Sequence, residues 1–470
     1  MNQLRRSFRF WIFLVALVNV FTSMGAAIAE TKPASQPRWD APHHPNPFIP
    51  GYYADASVLQ TAKDTFVYAT EDPWGGRTLG CWRSADLEHW SWCSLNWPTK
   101  EAATSPTSGD SMVWAPSVIA KNGRYHMYVA VGSEVWTGVA DSPTGPWKNP
   151  LGNKPLIPGN YRPGYHMIDA EVFLDTDGQA YLYWGSGLHW VNGHCFVVKL
   201  KPDMKTFDGE PRDVTPAHYF EAPFLYKHGG KYFLMYSEGK TTDSTYNVRY
   251  AVGSSPMGPF HEGVNSPLLV SDEANSILGP GHHAIFERGG KSYIVYHRHS
   301  LPFDSSSVRR QLCMDELTFS VDGEPQKIVP THLGPALLRK TVRDAGALPA
   351  TASASSSLDA IHDAKRVTDD NYATRWIPAA ADKNPWLELD LHKVVEPSRT
   401  EIRFEYAWKP YHFKLLASVD GKTWTAVENH DSDDDAGSPV TITGLPRVRY
   451  LRLEFPVQAT PVSIFEWDVY

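Results

Sequence analysis

Three acidic residues open short apolar runs at matching places in this chain. Asp55 opens Asp-Ala-Ser-Val-Leu, Asp169 opens Asp-Ala-Glu-Val-Phe and Glu221 opens Glu-Ala-Pro-Phe-Leu. Two more runs of the same kind begin at Trp114 and His282. The first aromatic of the following strand comes eleven residues later in four of them, at Phe66, Tyr125, Tyr232 and Tyr293, and twelve residues later at Tyr181 in the run from Asp169. Carboxyl groups gathered in one hollow repel each other unless something uses them. Acid–base cleavage of a glycosidic bond does: one protonated carboxyl delivers a proton to the leaving oxygen, while another activates water or attacks the sugar. A third can raise the pKa of the acid and orient it. A carboxylate at a strand end can equally be a plain turn residue, which is how Asp64, Asp175 and Asp177 read.

Bringing together acids so far apart in the chain requires a repeating scaffold. Each run is a strand, a Gly or Asp turn and an aromatic-rich second strand, and the openings lie 52 to 61 residues apart. Repeats of that length built of short strands read as propeller blades. Five blades would place Asp55, Trp114, Asp169, Glu221 and His282 at one equivalent inward position around a common axis, with Trp114 free to stack on a sugar. A second repeat supports the first: Val139-Ala-Asp-Ser-Pro-Thr-Gly-Pro-Trp147 matches Ala251-Val-Gly-Ser-Ser-Pro-Met-Gly-Pro-Phe260. Beyond residue 348 the apolar runs are short and alternating, as in Trp386-Leu-Glu-Leu-Asp-Leu391, which reads as a β-sandwich. The fold class expected is therefore all-β, a five-bladed propeller followed by a sandwich.

Length and charge bound the rest. At 470 residues and net charge −8 the chain suits two domains and carries no basic stripe for nucleic acid. Arg5, Arg6 and Arg9, the apolar run Phe10 to Val20 and Ala27-Ile-Ala29 have the order of an export signal, too short and too early for a membrane span. Arg5-Arg6-Ser-Phe8 loosely resembles a twin-arginine signal, although an ordinary secretory signal is favoured. The expected product is secreted or periplasmic, with no membrane or nucleic-acid partner. Cys81 and Cys93 flank a hairpin and could pair across it or remain buried thiols. The expected layout is a signal over residues 1–29, a leader over 30–42 (mobile over 31–40), the propeller over 43–335, a linker over 336–348 and the sandwich over 349–470.

Pro47-Phe-Ile-Pro-Gly-Tyr-Tyr-Ala-Asp-Ala-Ser57, Ile168-Asp-Ala-Glu-Val-Phe173, Phe220-Glu-Ala-Pro-Phe-Leu-Tyr226 and Gly279-Pro-Gly-His-His283 resemble, in order, the motifs of glycoside hydrolase family 43. Members are five-bladed propellers that cleave arabinofuranosides, xylosides, arabinan or galactan with inversion. The resemblance implies Asp55 as general base, Glu221 as general acid and Asp169 as the residue that raises and orients the acid. It implies His282 as an axial substrate-binding residue that in many relatives helps hold calcium through water; His283 is its polar neighbour. The usual Asp-Pro-Ser is Asp55-Ala-Ser57 here, which spares the carboxylate. Arg298, and Arg309 or Arg310, could reach a substrate hydroxyl. No cofactor is required, and the resemblance allows for a structural calcium. The substrate implied is a plant-type polysaccharide or oligosaccharide, with α-L-arabinofuranosidase or β-xylosidase activity first, a galactan- or galactoside-directed exo-hydrolase next, and a sugar-binding propeller without catalysis as the alternative from another class.

The C-terminal part resembles discoidin-type (coagulation factor 5/8 C-like) jelly-roll modules through Arg366-Val-Thr-Asp-Asp-Asn-Tyr-Ala-Thr-Arg-Trp376, Ala417-Ser-Val-Asp-Gly-Lys-Thr-Trp424 and Val448-Arg-Tyr-Leu-Arg-Leu453. Such modules often bind carbohydrate in secreted hydrolases. Tyr406, Trp408 and Tyr411 could form a sugar platform or serve as core and interface aromatics. Asp369 and Asp370 could help hold calcium or form a solvated turn.

Overall fold

In the computed structural model each of the five runs closes into its own antiparallel sheet, with strands in chain order. The model describes residues 36–191, 193–338, 346–432, 436–457 and 461–470. Blade I comprises Tyr53–Gln60, Thr65–Glu71, Leu79–Ser84 and Ser91–Trp92, and blade II comprises Val113–Lys121, Arg124–Val131 and Glu134–Ala140. Blade III comprises Glu171–Leu174, Ala180–Trp184, Phe196–Leu200 and Arg212–Asp213. Blade IV comprises Glu221–His228, Lys231–Glu238, Asn247–Gly253 and His261–Glu262, and blade V comprises Gly281–Arg288, Lys291–His299 and Arg310–Leu317. In blades II to V the turns between first and second strands carry left-handed residues, as at Asn122 (φ 54°) and Gly123 (φ 75°). Tight hairpins favour such residues because their twist matches that of the flanking strands.

Large apolar side chains fill the wedge between neighbouring blades, one cluster per seam. Trp97, Met127 and Trp136 pack between blades I and II, Tyr128, Trp184 and Phe196 between II and III, and Tyr183, Leu234 and Tyr236 between III and IV. Phe233, Ile294 and Tyr296 pack between IV and V. Phe48, Trp82, Phe286 and Leu312 fill the seam between V and I, where the ring must close. Closure also uses the segment before the first blade. The Phe48 amide donates to Leu312 O at 3.1 Å, and the Asn46 side chain both donates to Met314 O (2.7 Å) and accepts from Met314 N (2.9 Å). The last blade thus gains its outer partner from the chain start, which leaves no open seam.

The sandwich pairs a five-stranded sheet with a three-stranded one. The first runs Thr351–Ala354, Trp386–Val395, Val448–Glu454, Lys414–Ser418, Thr425–Asn429, and the second Val440–Thr443, Arg399–Phe404, Ile464–Val469. Alternation makes its core: Leu387, Leu389 and Leu391 are buried while Trp386, Glu388 and Asp390 between them are half-exposed. Trp376, Phe404, Phe413 and Trp467 complete that core.

The described part of the leader is tied down rather than mobile at residues 39–41. Asn371 Nδ2 donates to Trp39 O (2.8 Å) and Ala41 O (3.0 Å), and Arg366 binds Asp40 through both its backbone and carboxylate oxygens. Buried sandwich polar groups need partners, and this stretch supplies them. The expected signal, residues 30–35 of the leader and residues 339–345 of the linker lie outside the described residues. Cys81, on the third strand of blade I, and Cys93, just past the fourth, are free thiols, with the Cys93 amide donating to Cys81 O at 2.7 Å.

Candidate active site

The ring of equivalent positions is shifted by one residue in two blades. Left-handed backbone occurs at Asp55 (φ 55°), Ala115 (φ 45°), Asp169 (φ 57°), Ala222 (φ 56°) and His282 (φ 39°). In each blade the residue four positions later pairs across the hairpin: Leu59 with Phe66, Ile119 with His126, Phe173 with Tyr181, Tyr226 with Phe233 and Phe286 with Tyr293. The structural equivalents are therefore Asp55, Ala115, Asp169, Ala222 and His282. Trp114 and Glu221 stand one residue earlier, where a register irregularity bends the first strand in blades I, II, IV and V. Such bulges re-aim side chains at functional sites, so two consecutive residues reach the same hollow. Non-glycine residues held left-handed cost about 1–3 kcal/mol each, a strain that clusters at active sites.

All five expected axial residues line one cavity of about 410 Å³. Asp55 accepts from Thr70 Oγ1 at 2.6 Å and from Arg310 Nη1 at 2.9 Å, and His282 Nδ1 lies 3.1 Å from its Oδ1. Its own amide donates to His297 Nδ1 at 3.4 Å. Burial would push Asp55 up, but Arg310 and then His282 outweigh it and hold the carboxyl well below the usual range. Arg310 is itself fixed by Asp72, which accepts from Nη2 (2.6 Å) and Nε (3.0 Å), and it stacks under Trp74 with 4.7 Å to the ring centroid. Asp55 is thus a carboxylate held ionised beside a cation that Asp72 fixes in place.

Glu221 is shifted in the opposite direction. It accepts from Tyr246 OH at 2.8 Å and Ser186 Oγ at 2.9 Å, yet burial outweighs these donors and His282, and raises its pKa. Asp169 accepts the Ala222 amide at 3.1 Å and lies 4.0 Å from His282 Nδ1. Burial, opposed by His282 and reinforced by Glu221 and Asp55, pushes Asp169 up to about 8. Two neighbouring buried carboxyls cannot both ionise cheaply, so the pair keeps a proton at neutral pH and titrates as a unit. Burial acts to lower His282, but Asp55 and Asp169 raise it to about 9, so the ring is a cation between two acids. Both acids face the same ring nitrogen of His282, Nδ1, at 3.1 Å (Asp55) and 4.0 Å (Asp169). Among the described residues, three-donor clusters occur at Asp86, Glu88 and His89 and at Asp370, Glu466 and Asp468, away from this cavity.

Trp114 lines the cavity, its Nε1 donating to Gly132 O at 2.8 Å and its ring edge-on to His166. Trp190, 39% exposed, stands at the rim against Phe220, the residue before Glu221. Arg298 and Arg309 do not reach the cavity. Arg298 pairs with Gln311 across blade V, one step from the His299–Arg310 pair, and the pleat turns it to the other face. There it is buried and donates to Asn46 O at 2.9 Å. Arg309 lies over the Tyr52 ring at 4.9 Å and donates to Glu405 of the sandwich at 3.3 Å. Of the arginines weighed for this blade, Arg310 is the one in the site.

Thr70, Asp72, Trp74, His166, Ser186, Trp190, Tyr246 and His297 were not singled out from the sequence. Glu71-Asp72-Pro-Trp74 and the lone Tyr246 carry no repeat signal, because they come from second and third strands and from loops. His283, with burial first and then His282 lowering it to about 3, is buried and neutral. Tyr411 is a core residue stacked on Phe404 at 4.3 Å, and Tyr406 packs against Tyr52, just before blade I, so neither forms an open platform. Asp369 accepts from Thr374 Oγ1 and Arg366, which makes it a structural turn residue.

The family model "Glycosyl hydrolases family 43" matches residues 44–325, and the model "F5/8 type C domain" matches residues 351–467. The chain is 32% identical over 302 residues to the beta-D-galactofuranosidase xynD of Aspergillus niger, covering 61% of this chain and 85% of that one. It is 31% identical over 257 residues to an arabinoxylan arabinofuranohydrolase of Bacillus subtilis, covering 47% of this chain and 48% of that one. A solved structure described as a glycoside hydrolase superposes with a TM-score of 0.77 at 29% identity, over 92% of this chain and 100% of that one. With an ionised and a proton-bearing carboxyl facing one cavity of a five-bladed propeller, the chain belongs to glycosyl hydrolase family 43, carries a C-terminal F5/8 type C domain and hydrolyses O-glycosyl bonds.

Proposed function

We propose that the protein is an inverting, exo-acting or debranching glycosidase that removes terminal pentose units from plant-type polysaccharides or oligosaccharides, as an α-L-arabinofuranosidase or β-xylosidase. The observation that carries this reading is the opposite protonation of Asp55 and of the Glu221–Asp169 pair within one cavity. Asp55 would take a proton from water as that water attacks the anomeric carbon. Glu221 would protonate the departing oxygen, and Asp169 would keep the acid protonated and oriented. Arg310 and His282 would hold Asp55 ionised, and Trp114 would face the bound sugar. An inverting route needs room for water, so the Asp55 and Glu221 carboxyls are expected to stand more than about 6 Å apart with substrate bound. A cavity of about 410 Å³ is small for a ligand pocket and suits a terminal sugar or a side branch.

A second reading is favoured by the relative from Aspergillus niger, whose name specifies β-D-galactofuranoside. Release from aryl α-L-arabinofuranoside, β-D-xyloside and β-D-galactofuranoside separates the readings, and NMR of the first-formed anomer tests inversion. A product with retained configuration overturns the single-displacement mechanism. Arg5, Arg6, Arg9 and the apolar run Phe10 to Val20 support export of the enzyme; N-terminal sequencing of the secreted protein tests that.

A further inference from the structure

The sandwich grips the propeller on the strand that leads into Asp55. Tyr52, buried three residues before the base, has two guanidinium groups against its ring: Arg309 of the propeller at 4.9 Å and Arg375 of the sandwich at 5.6 Å. Glu405 of the sandwich pairs with both, at 3.3 Å from Arg309 Nη1 and 3.4 Å from Arg375 Nε. Sandwich aromatics close around the same ring, Phe465 edge-on at 6.1 Å and Tyr406 at 6.2 Å. Gln311 Nε2 is shared between Tyr372 O of the sandwich (2.8 Å) and Gly51 O of the propeller (3.3 Å). Gly51 sits at φ 109°, and a Cβ there would meet Tyr53 at 2.7 Å and Glu405 O at 3.3 Å, so the two domains meet backbone to backbone.

These contacts surround the machinery of the base. Arg309 and Gln311 flank Arg310 in sequence, and Tyr52 O accepts the amide of Asp72, the residue that fixes Arg310. We propose that the sandwich is a positioning element for the base half of the active site, in which Glu405, Arg375 and Tyr372 lock Tyr52, Arg309 and Gln311 and so hold Arg310 against Asp55 and Asp72. Glu405 is buried, so the loss of its charge leaves two guanidinium groups without their anion and frees Arg309 to move. The inference rests on the reading of Asp55 as base.

The test uses the full chain and a soluble aryl glycoside, which offers no polymer for the sandwich to bind. Glu405→Gln keeps the side-chain shape and removes the charge, and Arg309→Met tests the same contact from the propeller side should the first variant fail to fold. Each is expected to lower kcat about tenfold with KM nearly unchanged, as small misplacements of catalytic groups do. The acid limb of the kcat/KM profile is expected to move upward by about half a pH unit or more as Arg310 loosens from Asp55. Glu388→Gln, on the outer face of the same sandwich, is expected to match wild type. Wild-type kcat and an unmoved acid limb in the folded variants overturn the proposal, whatever their Tm; a lower kcat with an unmoved limb overturns it too. The base reading fails separately, if Asp55→Asn keeps wild-type turnover.

Discussion

Tyr246→Phe removes one oxygen from the wall of the acid and nothing else. Tyr246 is fully buried, and its hydroxyl donates to Glu221 Oε1 at 2.8 Å. A donor to a carboxylate favours the ionised form, so Tyr246 counteracts the upward push that burial exerts on Glu221. A hydrogen bond to a charged group contributes about 1.5–3 kcal/mol. One pKa unit corresponds to about 1.4 kcal/mol, so the loss raises the acid by about one to two units. No screening discount applies, since both groups are shielded from solvent. The basic limb of kcat/KM against pH, which reports the Glu221–Asp169 pair, is therefore expected to move up by about that amount. A weaker acid also transfers its proton less readily. Turnover of alkyl or oligosaccharide substrates should fall, while that of a dinitrophenyl glycoside, which needs no protonation, should hold. A basic limb that stays put or moves down refutes the argument that Tyr246 stabilises the ionised acid.

Glu221→Gln should lose turnover of poor leaving groups most severely, and intact polysaccharide cleavage by that variant would remove Glu221 from the acid role. Asp55→Asn should lower turnover about a thousandfold or more for every leaving group, because the attacking water loses its base. Asp169 has a folded-state pKa of about 8, far above its ordinary value, so its contribution to stability is full below that ordinary value and is lost as pH rises toward 8. Thermal melts of Asp169→Asn should therefore show a smaller fall in Tm between about pH 5 and 8 than wild type; an equal fall counts against a raised Asp169. Trp190→Ala, at the rim beside Glu221, should raise KM for an oligosaccharide about tenfold, and an unchanged KM would remove this exposed ring from substrate contact.

Much of the architecture was written in local patterns. The strand–turn–aromatic unit repeats because every blade solves the same packing problem, and the leucines of Trp386–Val395 alternate because one face of that sheet is buried. The acids were legible for the same reason, since Asp55, Asp169 and Glu221 each begin a repeat. What the chain alone left open was which of two adjacent residues faces inward. Trp114 and Glu221 precede the equivalent positions held by Ala115 and Ala222, at a bulge where either of two consecutive residues can reach the axis and which exists only through pairing with the second strand. Arg298, Arg309 and Arg310 are equal candidates in sequence. Side chains in a strand alternate, and only the pairing of His299 with Arg310 decides that Arg310 turns to the axis while Arg298 turns to Asn46. The protonation of the site was likewise a tertiary outcome. A buried carboxyl is pulled down beside Arg310, as at Asp55, and pushed up beside Asp169, as at Glu221, because burial and neighbouring charge, which no local pattern encodes, set the balance.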